Sequence, residues 1–127
     1  GIAMTLENRL LGCQLTVNEE IHILQIVREA LSNVVRHARA GHAKVRLWCA
    51  EDGRVTVTVE DDGVGIRPSS DLPYHYGLVI MQERAHGLGG EIQLRARAQG
   101  GTCVELNFMP TGHCAHHPNA AEEGEPI

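Results

Sequence analysis

The sequence contains few aromatic residues and no long apolar run. Aromatic side chains make up 3% of its 127 residues, although hydrophobic residues reach 43%. The core must therefore be built mainly from aliphatic side chains. Because no run approaches the roughly 18 apolar residues that a membrane-spanning helix needs, we expect no membrane insertion, and no signal peptide is recognisable. The length predicts one compact domain.

An excess of positive charge is also missing. Eleven basic and sixteen acidic side chains give a net charge of -5, which argues against a nucleic-acid partner. The sequence has four cysteines, none of them in a CxxC pair: Cys13, Cys49, Cys103 and Cys114. Since Cys49 and Cys103 lie within apolar alternating stretches, we interpret the cysteines as buried free thiols, which favours a cytoplasmic location.

Hydrophobic periodicity predicts five strands and two helices. The predicted order is a strand at 2–6, a helix from Asn18 to Ala40 ended by Gly41, strands at 43–49 and 55–60, a loop at 61–76, a helix at 77–88 stopped by Gly89 and Gly90, and strands at 92–96 and 102–108. Short turns join neighbouring strands, so we expect an α+β fold. It is a two-layer sandwich with a mixed, mostly antiparallel sheet and helices on one face, not a βαβ dinucleotide fold.

The domain is expected to span residues 1–110, followed by a disordered tail at 111–127. This tail lacks periodicity and is rich in Gly, Pro, His and Glu. It contains a cluster of potential transition-metal ligands: His113, Cys114, His116 and His117. Short His-rich tails often bind metals adventitiously, and that is the interpretation we favour here.

A row of polar residues follows the first predicted helix. Glu29, Asn33 and Arg36 are spaced four and three apart, so they project together opposite the apolar stripe, with His37 at the edge of the row. Mg²⁺ prefers oxygen ligands and keeps several waters, so one amide oxygen with phosphate oxygens suffices to hold it. The alternative is a solvated helix face with ordinary ion pairs.

A glycine-containing acidic segment, DDGVGI, follows the third predicted strand at 61–66. Strand alternation places Asp61 on the inward side with the valines, where its carboxylate needs a hydrogen-bond donor such as the amine of a ligand. Gly63 and Gly65 allow a flat ring to approach the backbone. The alternative is a tight turn with a surface aspartate.

Two further features concern Gly77 and the segment Gly100-Gly101-Thr102. Gly77 is predicted to open a helix, where free N–H groups favour an anion such as phosphate. Thr102 falls in register with the inward apolar residues of the last strand, so its hydroxyl points inward like Asp61. These two inward polar groups indicate one shared pocket, whereas each glycine taken alone is equally typical of a hairpin or a helix cap.

In this order, the segments resemble the catalytic domain shared by histidine kinases, DNA gyrase, the Hsp90-type chaperones and MutL. The stretch 28–38, REALSNVVRHA, is similar to the N box of that family, DDGVGI to its first glycine box, and GGT at 100–102 to its last. The stretch 75–85, HYGLVIMQERA, resembles the second glycine box of nitrate/nitrite-sensor kinases. The resemblance implies the Bergerat-type ATP-binding fold.

The resemblance also implies roles for matching residues. Asn33 is expected to bind Mg²⁺ and Asp61 to accept a hydrogen bond from the adenine amine, with Thr102 supporting the adenine through water. Glu29 matches the acid that activates water in the family's ATPases, so Glu29 and Asn33 are the candidate catalytic pair. The other implied ATP-binding residues are Arg36, His37, Gly63, Gly65, Ile66, Gly77 and Leu78.

The implied reaction is transfer of the γ-phosphoryl group of ATP to a histidine of a separate dimerisation and phosphoacceptor domain. A response regulator is the implied downstream partner. The full-length kinase is expected to be a dimer anchored in the inner membrane, with this domain on the cytoplasmic side and monomeric in isolation. Two alternatives stay open: an ATPase of the same superfamily, and a degenerate module that serves only for docking.

The sequence departs from the wider family at three places. His75 stands where the second glycine box often has glycine, and the lid between Ile66 and Gly77 is short and lacks phenylalanine. Both features suit the nitrate/nitrite-sensor type. No phosphoacceptor motif precedes residue 21, and His22 is expected to have a structural role, so we expect no autophosphorylation of this chain.

Overall fold

The computed structural model describes residues 2–10, 14–64 and 72–111, excluding the side chains of 37–38 and 72–76. These described residues form five strands, two α-helices and one π-helical turn. These elements are β1 (Ala3–Arg9), α1 (Val17–Asn33), the π turn (Val34–Ala38), β2 (His42–Cys49), β3 (Val55–Asp61), α2 (Leu72–Gly87), β4 (Glu91–Ala96) and β5 (Thr102–Phe108).

The strands form one sheet in the order β1-β2-β3-β5-β4. β1 pairs with β2 in parallel, and the other three pairings are antiparallel. The parallel pair is joined through α1, whereas short hairpins join β2 to β3 and β4 to β5, because antiparallel neighbours need only a tight turn. The predicted α+β fold with a mixed, mostly antiparallel sheet is confirmed.

Strand alternation builds the core between the sheet and the two helices. The inward residues of β3 and β5 are Val55, Val57, Val59, Val104, Leu106 and Phe108. They pack with buried residues of α1 and α2: Ile23, Ile26, Ala30, Met81 and Ala85. The opposite face is charged: Lys44 and Arg46 pair with Glu7, and Arg46 also stacks on Trp48. Helices on one face of the sheet are therefore confirmed.

α1 begins at Val17, one residue before the predicted helix start at Asn18. Thr16 is the N-cap residue: its hydroxyl accepts a hydrogen bond from the Glu19 N–H, and the Glu19 carboxylate accepts one from the Thr16 N–H. This reciprocal pair satisfies two N–H groups at the helix start. The buried Glu19 carboxylate also accepts from the Thr111 N–H, 2.9 Å away, and so ties the chain after β5 to α1.

The end of the first helix also differs from the prediction. Regular α-helix stops at Asn33, and the chain continues as a π turn to Ala38, in which hydrogen bonds span five residues. Arg39 then takes a left-handed conformation with φ 52° and ends the helical segment. The predicted stop at Gly41 is wrong, because the helical segment already ends at Arg39, two residues before this glycine.

α2 begins at Leu72 rather than at the predicted Gly77. The segment 61–76 was predicted to be a loop because it is rich in Gly, Pro and Ser. Proline is nevertheless tolerated in the first turn of a helix, because the N–H groups there have no partner within the helix. At the other end, Gly89 takes φ 72° and the Gly90 N–H donates to the Ala85 carbonyl. The predicted stop at Gly89 and Gly90 is confirmed.

The cysteines divide into two kinds. Cys103 is buried and free, as predicted. Cys49 is disulfide-bonded, so the prediction of a free thiol is wrong there, because pairing depends on tertiary proximity, which a strand pattern does not encode. Cys13, Cys114 and the histidine cluster of the tail lie outside the described residues.

No helix in the described part of the chain is long and apolar enough to cross a membrane.

Candidate functional site

One end of the candidate site lies where α1 meets α2. Asn33 is the last residue of α1 and is 4% exposed, and its side-chain oxygen Oδ1 has no hydrogen-bond partner within the described residues. Glu29 lies one turn earlier on the same helix face. A buried amide oxygen without a donor or a cation costs free energy. Asn33 therefore presents an oxygen that a ligand can use.

Gly77 of α2 packs directly against these two side chains. A Cβ atom at this position would lie 2.5 Å from Glu29 Oε2 and 3.0 Å from Asn33 Nδ2. Only glycine therefore lets α2 approach the polar face of α1 without moving either group. The structure therefore brings Gly77 against Glu29 and Asn33, a contact that the sequence did not predict.

Arg36 extends the same polar group from the π turn. Its Nη2 atom lies 3.9 Å from Glu29 Oε2, and about half of its side chain is exposed. An ion pair this long and this exposed contributes little to stability, so the guanidinium is free to bind an anion instead. The backbone of His37 belongs to the same π turn, and its side chain is outside the described part.

The other end of the site is built by the ends of β3 and β5. Asp61 and Thr102 are directly paired across the two strands and are 5% and 4% exposed. Asp61 Oδ1 accepts a hydrogen bond from the Gly63 N–H at 2.8 Å. The predicted pair of inward polar groups is present, and Gly63 supplies one of the donors that the buried carboxylate needs.

Burial raises the pKa of the Asp61 carboxyl above its usual range. The backbone N–H groups of Gly63 and Thr102 and the charge of Arg97 act in the opposite direction, and the net shift is upward. A carboxylate held inside the protein at such a cost is typical of a functional group, since a donor from a ligand relieves the cost.

Arg97 is a residue of this end that the sequence did not single out. Its Nη1 atom donates to the Asp61 carbonyl at 2.8 Å, and its backbone N–H donates to the Gly101 carbonyl at 3.0 Å. It therefore fastens the β4–β5 turn to the end of β3. The only signal in the sequence is its position just before the glycine pair at 100–101, which does not specify this contact.

The predicted phosphate-binding role of Gly77 and Leu78 needs correction. Both residues lie inside α2, five and six positions after its start at Leu72. Only the first four N–H groups of a helix lack partners within it, so neither residue offers a free helix-terminal donor in this conformation. Leu78 packs against the core. Two other predicted residues, Gly65 and Ile66, lie outside the described residues.

If the site binds Mg²⁺-ATP, as the resemblance to the kinase and gyrase family implies, replacing Gly77 with alanine is expected to weaken that binding without unfolding the domain. The new methyl group displaces the Glu29 carboxylate and the Asn33 amide, and we expect about tenfold lower affinity, about 1.4 kcal/mol. Alanine in a helix interior gains about 1 kcal/mol over glycine, which offsets the displacement. Calorimetric titration and thermal melting measure the two effects.

Gly87→Ala is the matched control, since a Cβ there meets His22 Nε2 at 2.9 Å, away from Glu29 and Asn33. Equal affinity losses in the two variants would show that Gly77 only supports helix packing.

Comparison with known proteins identifies the family. Residues 18–112 match the family described as histidine kinase-, DNA gyrase B-, and HSP90-like ATPase. The chain belongs to this family. Its resemblance to the nitrate/nitrite-sensor type is also confirmed, because the chain is 41% identical to the nitrate/nitrite sensor protein NarQ of Escherichia coli K12 over 83% of its length, and 37% identical to NarX of the same organism over 87%.

The chain spans about a fifth of the length of these two relatives. Among solved structures, it is similar to the blue-light activated histidine kinase EL346 of Erythrobacter litoralis, with a TM-score of 0.72 and 27% identity over 87% of this chain and 36% of that one. The two ends of the site described above therefore lie in a fold shared with a histidine kinase.

Proposed function

We propose that the chain is the ATP-binding catalytic domain of a sensor histidine kinase. It binds Mg²⁺-ATP and presents the γ-phosphoryl group to a histidine of a separate dimerisation and phosphoacceptor domain. The observation that carries this proposal is the buried pair Asp61 and Thr102, in a member of this ATPase family whose relatives are named sensor kinases. The pair accounts for recognition of a base with an amine.

Adenine recognition follows from hydrogen-bond complementarity. The Asp61 carboxylate accepts from Gly63 and keeps further lone pairs for the exocyclic amine of the base. Thr102, next to it in the sheet, supplies a hydroxyl that either donates or accepts, directly or through a water molecule. Because the Asp61 side chain is buried, a donor that meets its carboxylate is bound more strongly than it is at an exposed site.

The phosphate end has groups that suit Mg²⁺. Asn33 Oδ1 is an oxygen ligand that is already buried and has no partner within the described residues, and Mg²⁺ needs only one or two such protein ligands besides phosphate oxygens and water. Asn33 is the residue that would hold the ion, which neutralises charge on the phosphates when bound. Arg36, half exposed and only loosely paired, adds a positive charge nearby.

In the proposed reaction, the bond between the γ-phosphorus and the β,γ-bridging oxygen breaks, and a bond from phosphorus to an imidazole nitrogen of the acceptor histidine forms. ADP leaves, and the imidazole gives up its proton. The domain contributes positioning and charge neutralisation rather than covalent chemistry. Glu29 lies one turn before Asn33 on the same helix, 3.9 Å from Arg36 Nη2, and it is the candidate to receive that proton.

The setting of the domain is proposed from its relatives. Two of them are named nitrate/nitrite sensor proteins, and we place this chain in a kinase of that type. We propose that its phosphoacceptor domain passes the phosphoryl group to a response regulator, and that the full-length kinase is a dimer anchored in the inner membrane with this domain in the cytoplasm. The domain alone is proposed to be monomeric.

The test compares the parent chain with Asn33→Ala in two assays. Calorimetry with Mg²⁺-ATP is expected to show binding by the parent and at least about tenfold weaker binding by the variant, corresponding to 1.4 kcal/mol or more. Transfer of labelled γ-phosphate to a separately produced phosphoacceptor domain is expected from the parent and not from the variant. Asn18→Ala, an exposed position of the same helix, is the control.

The outcomes separate the alternatives. Nucleotide binding with release of free phosphate but no transfer would favour an ATPase. No binding by the parent at millimolar nucleotide would favour a docking module, and either result would overturn the kinase proposal.

A further inference from the structure

The chain between the π turn and β2 is held by one side chain from another part of the sequence. After Arg39 the backbone passes through Gly41 and His42 into β2. The N–H groups of Gly41 and His42 both donate to Asp62 Oδ1, at 2.8 and 2.9 Å. The imidazole Nδ1 of His42 lies 3.1 Å from Asp62 Oδ2. We call this set of contacts the Asp62 clamp.

The clamp is reinforced by the backbone and by charge. The Asp62 N–H donates to the His42 carbonyl at 3.3 Å, so contacts run both ways between the two segments. The hydrogen bonds from the His42 backbone and side chain lower the pKa of Asp62 to about 2. At neutral pH the carboxylate is therefore ionised and accepts from all its donors.

The adenine end of the site does not depend on this clamp. Asp61 is paired in the sheet with Ala43 on one side and Thr102 on the other, its carboxylate is bound by Gly63, and its carbonyl by Arg97. These contacts fix Asp61 from β2, β5 and the β4–β5 turn. Removing the neighbouring side chain of Asp62 leaves every one of them in place.

The phosphate end has fewer supports where the helical segment ends. The π turn carries Arg36 and follows Asn33 directly. Its exit packs through a small cluster of Val34, Ala40 and Ala43, against which Ile2 and Leu31 also lie. One backbone hydrogen bond, from the Ala3 N–H to the Gly41 carbonyl, ties this exit to β1. The β2–β3 ladder pairs Ala43 with Asp61, and the Asp62 side chain extends this connection to Gly41 and His42 in the exit itself.

We propose that Asp62 is a positioning residue for nucleotide binding. Its carboxylate fixes the exit of the π turn against the end of β3, and so sets the distance between the phosphate-binding side chains Asn33 and Arg36 and the adenine-binding Asp61. This inference rests on the proposed function. Asp62 touches neither base nor phosphate in this scheme, and it acts through Gly41 and His42.

The experiment measures how much the phosphates add to nucleotide affinity. Calorimetry with adenosine reports the adenine end alone, and calorimetry with Mg²⁺-ATP reports both ends. For Asp62→Ala, which removes the clamp, we expect the ratio of ATP affinity to adenosine affinity to fall by about tenfold, as is usual when a supporting group is lost. Adenosine affinity is expected to stay within about twofold of the parent value.

Two conservative variants identify the atoms responsible. Asp62→Asn keeps an Oδ1 that can accept from both backbone N–H groups, and His42→Ala removes only the imidazole. Both are expected to retain the parent ratio within about twofold. Should Asp62→Ala fail to fold, Asp62→Glu takes its place. Glutamate keeps the charge, but its side chain is one carbon longer, so its carboxylate oxygen does not occupy the position of Asp62 Oδ1. This variant is expected to lower the ratio in the same way.

The results distinguish this inference from the proposed function. If the parent binds neither ligand, the proposed function itself fails. If the parent binds both and the variant lowers the two affinities equally, Asp62 only maintains the folded fraction and the positioning role is overturned. An unchanged ratio in a folded variant, whether alanine or glutamate, overturns it as well.

Discussion

Asp61→Asn is expected to abolish most of the affinity for Mg²⁺-ATP while leaving the domain folded. The carboxylate already accepts a hydrogen bond from the Gly63 N–H and one from the Thr102 N–H, and in the proposed function the adenine amine is a further donor. An amide has one oxygen. Whichever way it is turned, its NH₂ group faces a donor, and such an unsatisfied contact costs about 1–3 kcal/mol. We expect an affinity loss of at least about tenfold.

The stability of this variant follows from the pKa of Asp61. Burial raises that pKa in the folded state, so the ionised carboxylate destabilises the fold at neutral pH. This penalty declines as the pH falls through the folded-state pKa and is gone below the unfolded-state pKa. The amide carries no charge and avoids the penalty, but it loses one acceptor. These effects oppose each other, and we expect melting within about 5 °C of the parent, or about 1 kcal/mol.

Two controls make the experiment specific for the adenine amine. Glu60→Gln makes the same chemical change one residue earlier, on the opposite face of β3, and is expected to bind like the parent. Purine riboside triphosphate, which lacks the amine, is expected to bind the parent and the Asp61→Asn variant with similar affinity. If the variant loses the same factor with both nucleotides, Asp61 does not recognise the amine.

The alternation of the strands explains why the inward placement of Asp61 and Thr102 could be predicted from the sequence. Val55, Val57 and Val59 define the inward side of β3, and a period of two continues that side to Asp61. The same rule on β5 places Thr102 inward. Both inferences use only the spacing of residues within one strand and which face of that strand is apolar. These are local properties of the sequence. The direct pairing of Asp61 with Thr102 then requires only the antiparallel register of β3 and β5.

The helix ends could not be predicted in the same way. The π turn after Asn33 keeps apolar residues at helical spacing, so periodicity does not separate it from regular α-helix. Arg39 adopts φ 52° without being glycine, because the surrounding chain determines its conformation. The start of α2 could not be recognised from the sequence, because Pro and Ser are typical of loops and also of first helical turns. Hydrophobic periodicity alone specifies none of these three features.

These differences at the helix ends affect the prediction for some site residues and not for others. Glu29 and Asn33 lie in regular helix and were placed correctly relative to each other, whereas the role given to Gly77 depended on a helix start that lies five residues earlier. Its actual contact, with Glu29 and Asn33, is a packing property between helices. The Asp62 clamp is equally non-local, since it joins residues about twenty positions apart.

Gly101→Ala is expected to cause the largest loss of folding stability among these variants. Gly101 has φ 96°, a conformation that residues with a Cβ rarely adopt, and its Cβ would lie inside van der Waals contact with the carbonyl of Asp61 and the Cα of Asp62. These are backbone atoms and cannot rotate away. We expect a loss of about 4 kcal/mol or more, measured by urea denaturation.

Gly100→Ala separates backbone strain from the steric clash. Gly100 has a similar φ of 100°, but a Cβ there meets nothing within 4 Å, so this variant reports strain alone, at about 1–3 kcal/mol. The difference between the two variants measures the close approach of the β4–β5 turn to the end of β3. Gly101→Ala is also expected to lose Mg²⁺-ATP binding under conditions where it is folded, because the strand end that carries Asp61 must move. Equal stabilities for the two variants would show that the turn moves to accommodate the Cβ atom, and that Gly101 is required only because of its positive φ.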